Sequence, residues 1–178
     1  MSYLQIIIFT AICLFAAAAN AQHQPYAGED AREIKALSAE EVKQYLSGAG
    51  MGYAKAAELN HYPGPSHVLK LADQLQLTAE QRAATRKLMD AHKAEARLVG
   101  AKLVDAEREL DGLFRSGRVD QATLARAVRA AARLEGQYRL SHLETHRRMR
   151  ALLTEEQVAR YDRLRGYAQP QEQNPHKH

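Results

Sequence analysis

Residues 77–115 read LTAEQRAATRKLMDAHKAEARLVGAKLVDAERELDGLFR, and this stretch decides the fold. It opens with a capping box, in which the Thr78 hydroxyl and the Gln81 side chain satisfy free backbone amides at the start of a helix. The stretch contains no proline, and Gly100 is the only glycine before Gly112. It therefore predicts one helix from Thr78 to about Arg115, which is roughly 55 Å long at 1.5 Å per residue.

A second long helix is predicted immediately after the first. Ser116-Gly117 interrupts the helical pattern, and Asp120 can cap a new helix that runs to about Leu152. Because the connection is short, the two helices should pack side by side and antiparallel. The fold class is therefore all-α, a long helical hairpin with short flanking helices.

The opening pentamer of the first helix has a second copy. Residues 153–157 read LTEEQ, and they predict a last short helix that stops at Gly166. The leucine before each threonine should pack against its own helix as a hydrophobic staple. Capping and stapling are thus assigned to Leu77, Thr78, Gln81, Leu153, Thr154 and Gln157.

The region before the hairpin, residues 22–62, is polar and is expected to hold only short helices. Ser38 and Glu41 form a capping box for one of them, and residues 53–59 favour another. The Pro-Gly-Pro segment at residues 63–65 predicts a turn, with Ser66 as the N-cap of the next helical piece.

The two ends of the chain have the composition of non-core segments. Residues 1–21 combine an apolar run with Ala19-Asn20-Ala21, a small-x-small cleavage site, and are expected to be a secretory signal peptide. The only cysteine, Cys13, lies within that segment, so disulfides and thiolate sites are excluded from the mature chain. Residues 168–178, rich in Gln, Pro and His, are expected to form a disordered tail.

The charge of the chain and the absence of catalytic motifs argue against two classes of function, nucleic-acid binding and enzymatic catalysis. The chain has 25 Lys and Arg against 21 Asp and Glu, a net charge of +4. Since export separates it from nucleic acid, this mild excess points to acidic protein segments or anionic lipid. There is no HExxH or CxxC pattern and no pair of carboxylates in a pocket-forming fold, and we expect no enzymatic activity and no required cofactor.

The position of the turn predicts which residues of the two long helices face each other. If the turn centres near Gly117, facing residues have numbers that sum to about 234, and each resulting pair is apolar except one. The exception places His92 opposite His142. The apolar pairs are Leu110 with Leu124, Ala106 with Val128, Leu103 with Ala131 and Ala96 with Tyr138.

The histidine layer has two interpretations. His142, His146 and Met149 share one face of the second helix, and with His92 opposite they could bind zinc, copper or nickel. Alternatively, the layer only fixes the helix register, with the imidazoles bonded to each other, to Glu95 or to water. The sequence leaves both interpretations open.

The second long helix is rich in arginine. A solvated face is the ordinary explanation of such charge, but arginine beside apolar residues also suits the capture of an unfolded polypeptide, by long-range attraction and by packing of its stem. The client-binding residues are predicted to be Arg126, Arg129, Arg133 and Arg139.

Two LTxxQ segments that flank a helical hairpin, in an exported chain without a mature cysteine, resemble the Spy/CpxP family. The resemblance covers about residues 63–167. It implies a cradle-shaped homodimer in the periplasm, without catalytic residues, that binds unfolded or misfolded envelope proteins without ATP during envelope stress. Residues 50–65 are also similar to the start of periplasmic heavy-metal sensors, the CnrX/ZraP-like branch. That branch implies metal sensing or resistance instead, and either role implies a membrane-bound stress or metal-response regulator as a partner.

Overall fold

The computed structural model describes residues 26–167 of the chain, so the predicted signal peptide and the predicted tail lie outside the described residues. The described part is all helical and contains no strand. Its residues up to Arg32 belong to one compact unit and those from Glu33 onward to another. In the first unit, a single 3-10 turn at Glu29–Ala31 is followed by Arg32, whose guanidinium lies 2.9 Å from the Glu29 carboxylate.

The second unit contains six α-helices within the described residues. None of them is long and apolar enough to cross a membrane. In chain order they are α1 (Ala39–Ser47), α2 (Lys55–Glu58), α3 (Pro65–Lys70), α4 (Ala79–Arg115), α5 (Gln121–Ala151) and α6 (Glu155–Arg165).

Helices α4 and α5 form the predicted long hairpin and pack against each other. Thr78 caps α4 and Asp120 caps α5, each through a side-chain oxygen that accepts backbone N–H groups of the first turn. The helix bounds inferred from the caps and breakers are confirmed, since α4 ends at Arg115 and α5 at Ala151.

Helix α1 packs across the middle of α4. Ser38 and Glu41 form the predicted capping box at its start. At its end the backbone lies directly on Gly100, where a Cβ atom would stand 2.1 Å from the carbonyl oxygen of Tyr45. Only glycine leaves room for this approach, which places Tyr45 in the core against Tyr138.

The interior consists of two apolar clusters at different heights of the hairpin. The first lies under α1 and the second joins both LTxxQ segments to α3 and α6. The first cluster contains Ile34, Tyr45, Ala96, Leu103, Val104, Ala106, Ala131, Leu134 and Tyr138. The second contains Val68, Ala72, Leu75, Leu77, Leu88, Met149, Leu153, Val158 and Tyr161.

Two sequence expectations about local packing are wrong. Helix α3 begins at Pro65 with Gly64 as its N-cap, and Ser66 does not cap it, because proline lacks an N–H and has the φ angle that suits a first helical position. Val128 does not face Ala106, since its side chain is 47% exposed and Ala127 is buried instead. One residue turns an α-helix by about 100°, so this shift removes Val128 from the interface.

Candidate functional site

The two LTxxQ segments act as helix caps, as predicted. Thr78 Oγ1 accepts the Gln81 amide at 3.1 Å, and Gln81 Oε1 accepts the Thr78 amide at 3.0 Å. Thr154 and Gln157 repeat the arrangement at 3.2 and 3.0 Å. The preceding leucines, Leu77 and Leu153, are both buried in the second apolar cluster, in agreement with their assignment as staples.

The glutamines also join the two motifs to each other, which the sequence analysis did not predict. Gln81 Nε2 donates to Gln157 Oε1 at 2.8 Å, and Gln157 Nε2 donates to Gln81 Oε1 at 2.9 Å. Each Nε2 also reaches a carbonyl beside the other motif's helix, Leu152 O at 2.9 Å and Leu75 O at 3.3 Å. A capping glutamine uses its side-chain oxygen and leaves two N–H groups free to donate elsewhere. The repetition of the pentamer was the only feature of the sequence that could have indicated these bonds.

His92 and His142 face each other between the two apolar clusters, as the pairing rule predicts. Their ring centroids are 4.5 Å apart and the rings are nearly perpendicular. His142 Nδ1 donates to the Tyr138 carbonyl at 2.9 Å. His142 Nε2 and His92 Nδ1 are both buried without a hydrogen-bond partner. The layer therefore holds its register through ring contact rather than through hydrogen bonds between the two histidines.

Both imidazoles of this layer are held in the neutral form. Burial lowers the pKa of His92 to about 4, with a smaller contribution from the neighbouring His142 and His146. Burial also lowers the pKa of His142, although the Tyr138 carbonyl acts in the opposite direction. If His92 and His142 were both protonated, two positively charged rings would lie with their centroids 4.5 Å apart. Their repulsion should separate the rings.

The other two proposed metal ligands are directed elsewhere. His146 Nδ1 donates to the carbonyl of Tyr62 at 2.8 Å, and Met149 is fully buried in the second apolar cluster. Glu95 is exposed. Within residues 26–167, no group of three His, Cys, Asp or Glu side chains converges on a position that could hold a metal ion.

A polar cluster around Glu58 was not predicted. Its carboxylate accepts hydrogen bonds from the Tyr161 hydroxyl and, at 3.1 Å, from the Gly64 amide, and it lies 3.6 Å from His146 Nδ1. His67 and Tyr167 contact the same carboxylate, each at 3.3 Å. Glu58 therefore ties α2 to α3, α5 and α6, and its position after Ala57 in a short helix gave no indication of this role.

His61 and His67, on either side of the Pro-Gly-Pro segment, are partly exposed, and each contacts a carboxylate. His61 is 60% exposed and binds Asp162 at 2.8 Å, and His67 is 38% exposed and binds Glu58. Burial, followed by the charge of Arg165, lowers the pKa of His67. The His61 contact fastens the segment between α2 and α3 to α6, and the His67 contact joins α3 to α2.

The four predicted client-binding arginines are all exposed on α5. None of them takes part in the ion pairs of residues 26–167, whereas Arg147 and Arg150 on the same helix pair with Glu144 and Glu155. Arg126, Arg129 and Arg133 follow one another at helical spacing, so they share one face of α5. Leu140, two turns further along that face, is 62% exposed.

An open groove lies between α4 and α5 next to Leu140. It has a volume of about 390 Å³, and its walls combine apolar side chains with Glu95, Glu144 and Arg148. The apolar part of the wall consists of Leu88, Ala91, Val99 and Leu140. His92 also lines this groove, and its ring contacts that of His142.

A family model described as LTXXQ motif family protein matches residues 65–165, which is more than half of the chain. No curated protein and no solved structure matches. The matched range contains the hairpin, both capping pentamers and the arginine-bearing face of α5.

Proposed function

Because the chain belongs to the LTXXQ motif family, which is the Spy/CpxP type, we propose that it binds unfolded or misfolded envelope proteins as a periplasmic, ATP-independent chaperone. The family is non-enzymatic and typically periplasmic. A role in binding agrees with the α5 surface, which exposes arginines and the apolar side chain of Leu140. The proposal includes two kinds of partner, the unfolded client protein and a membrane-bound stress regulator.

The observation that carries the proposal is the combination of unpaired arginines and exposed apolar side chains on one helix. Arg126, Arg129 and Arg133 make no ion pair in the described residues, so their charge is available to an acidic segment of a client. Leu140 and the neighbouring groove offer apolar contact. Exposed charge of this kind attracts a partner at long range without holding it rigidly, which suits transient binding of many sequences.

A homodimer is part of the proposed function. One side of the hairpin is covered by α1 and the segment that follows it, and the groove beside Leu140 lies open on the described chain. A second copy would extend the α5 surface into a concave binding face. Sedimentation should show a dimer at micromolar concentration, and a monomer would contradict the cradle arrangement.

Suppression of aggregation tests client binding. The chain without residues 1–21 should reduce light scattering by an unfolding substrate in the absence of nucleotide, and raised salt should slow capture because it screens exposed charges. Changing Arg126, Arg129 and Arg133 to glutamate should weaken suppression several-fold. The matched control changes three exposed lysines of α4, Lys87, Lys93 and Lys102, to glutamate, which alters the net charge equally.

The control decides whether the position of the charge matters. If both triple variants lose suppression equally, net charge alone acts and the α5 face is not the binding surface. If the unmodified chain fails to suppress aggregation at several-fold molar excess, the chaperone function is wrong.

Metal sensing through the histidine layer stays the alternative proposal. Its support is limited to His92 and His142, whose buried nitrogens lack a hydrogen-bond partner; because His142 Nδ1 carries the N–H of its neutral ring, His142 Nε2 has a lone pair that could bind a metal ion. Metal ions usually need three or four ligands, and the nearby His146 is bound to a backbone carbonyl. A higher unfolding midpoint in the presence of zinc, copper or nickel would favour this alternative.

A further inference from the structure

Helices α1, α2 and α6 end in the same backbone motif. In each, an amide donates to the carbonyl five positions earlier, and the residue before that amide is left-handed, as in a Schellman cap. The bonds run from Ala49 to Gln44 at 2.9 Å, from Tyr62 to Ala57 at 3.1 Å and from Tyr167 to Asp162 at 2.8 Å. Glycine holds the left-handed position after α1 and α6, but after α2 it is held by His61, whose φ angle is 67°. A histidine is strained there, so its side chain is expected to have a specific role.

The side chain of His61 contacts a buried carboxylate. Its Nδ1 lies 2.8 Å from Asp162 Oδ2, while the histidine side chain is 60% exposed. Asp162 is only 7% exposed, and its other oxygen, Oδ1, is buried without a hydrogen-bond partner. A buried carboxylate with an unpartnered oxygen is unfavourable for folding, so the contact is not explained by a contribution to stability.

This contact prepares His61 as a metal ligand. Because the Asp162 carboxylate accepts the Nδ1 proton, the neutral ring has its lone pair on Nε2, the nitrogen on the side of the ring away from Asp162. Histidines that bind metal ions almost always donate their other ring nitrogen to a carboxylate, a carbonyl or water, which fixes the ring and raises the basicity of the ligating nitrogen. His61 therefore offers one oriented nitrogen to an ion.

Two further imidazoles follow the described part of the chain at a short distance. The Tyr167 amide donates to the Asp162 carbonyl, so residues 168–178 begin beside the His61–Asp162 pair. His176 and His178 come nine and eleven positions after Tyr167. Nine residues can span up to about 30 Å. His61 is only two hydrogen bonds away from the Tyr167 backbone, so both imidazoles can reach its Nε2.

From these observations we propose that His61, His176 and His178 together bind a divalent transition-metal ion, with copper(II) bound most tightly. Imidazole ligands suit copper, nickel and zinc, and copper(II) forms the strongest complexes of the three with a given set of nitrogen ligands. Attachment to the same chain gives His176 and His178 a high effective concentration at His61. The site uses one ligand from residues 26–167, which agrees with the lack of a three-ligand cluster within that range.

The proposed site does not rest on client binding, and it is separate from the His92–His142 layer. That layer lies between α4 and α5, whereas His61 follows α2 and contacts α6. Copper binding at His61 should therefore survive changes in the layer, and loss of aggregation suppression would leave it unaffected.

Copper titration tests the inference. The chain without residues 1–21 should bind one copper(II) ion at pH 7.5 in calorimetry with glycine as a competing chelator, and electron paramagnetic resonance should show nitrogen ligands. His61→Asn should weaken binding at least about tenfold, and asparagine tolerates the left-handed backbone at this position. Changing His176 and His178 to glutamine should weaken binding at least as much. Asp162→Asn keeps the shape of the side chain but removes its charge, and should weaken binding about tenfold.

His67→Gln is the matched control, because His67 also contacts a carboxylate beside the Pro-Gly-Pro segment. This variant, and the chain with leucine at positions 92 and 142, should bind copper like the unmodified chain, and circular dichroism should show that all variants are folded. Unchanged copper affinity in His61→Asn would overturn the proposal, since His176 and His178 would then hold the ion without it. So would unchanged affinity after both of those histidines are replaced, or a loss of binding in the leucine double variant, which would place the ion in the His92–His142 layer.

Discussion

His92 and His142 place two imidazoles between two apolar clusters, with one nitrogen of each buried and unpartnered. A buried polar atom without a hydrogen bond costs about 1–3 kcal/mol of stability. The hydrogen bond from His142 Nδ1 to the Tyr138 carbonyl is therefore offset by the two unpartnered nitrogens. The fold requires both rings to stay uncharged, because a buried charge would be costly. The stability of the hairpin should therefore depend on pH.

Stability should fall as the pH is lowered from about 6.5 toward 4. The pKa of His92 is lowered to about 4 in the folded chain, so the unfolded chain binds more protons across this range and gains from acidification. We expect a loss of about 2 kcal/mol, allowing for the partly open side of the ring. Replacing His92 and His142 by leucine should remove most of this dependence and raise the stability at pH 7 by about 1 kcal/mol. Urea unfolding at several pH values measures both effects.

His92→Gln is the control, because it removes the titrating ring but keeps a polar group and should gain no stability at pH 7. Adding zinc, copper or nickel to the same samples separates the two explanations of the layer. A ligand that binds only the folded chain raises its unfolding midpoint. A rise in the unmodified chain that the leucine double variant lacks would support a metal site, and a pH-independent stability would contradict the neutral-imidazole explanation.

Sequence reasoning identified the histidine pair but not its full surroundings. The facing of His92 and His142 follows from the helix period and the turn, and it is confirmed. The diversion of His146 to the Tyr62 carbonyl depends on where residues 48–65 cross the hairpin. No local pattern specifies that crossing, so the Glu58 cluster could not be predicted either. The bonds between Gln81 and Gln157 depend instead on how α6 folds back onto the start of α4.

At the scale of elements, helix ends were predicted well because caps and breakers act through neighbouring residues. Thr78, Asp120 and Thr154 satisfy amides two or three positions ahead of them, and this local chemistry is readable from the sequence. Helix packing was predicted less well. Gly100 and Gly136 both look like helix glycines that weaken their helices, and only the structure shows that α1 lies on one of them.

Replacing each of these glycines by alanine should have opposite effects. At Gly100 the new methyl group would lie 2.1 Å from the Tyr45 carbonyl oxygen, so α1 must move, at a cost of at least about 2 kcal/mol. At Gly136 nothing lies within 4 Å of the added carbon, and alanine should stabilise α5 by about 0.5–1 kcal/mol. Thermal and urea unfolding compare the two. Equal effects at both positions would show that α1 does not rest on α4.

For the whole molecule, the physical unit is longer than the part that matches the family. The match begins at residue 65, but Ile34 and Tyr45 are buried in the first apolar cluster. The Tyr138 hydroxyl donates to the carbonyl of Ala49 at 2.6 Å, and Tyr53 bonds Glu135 at 2.9 Å. Residues 33–64 therefore complete the core of the hairpin, although most of their side chains are polar.

Truncation from the amino-terminal side should show where this unit begins. A chain of residues 33–167 keeps the described residues of the second compact unit and should unfold in urea at nearly the same midpoint as the chain without residues 1–21. A chain of residues 65–167 loses the burial of Ile34 and Tyr45, which contribute about 1.5–3 kcal/mol each. That loss is comparable with the total stability of many domains, about 5–15 kcal/mol, so we expect this chain to be largely unfolded or aggregated.

Both chains should be compared at several concentrations, because dimer formation would add stability to either. If the shorter chain unfolds at the same midpoint as the longer one, residues 33–64 are a peripheral addition, and the hairpin with its two LTxxQ caps folds without them.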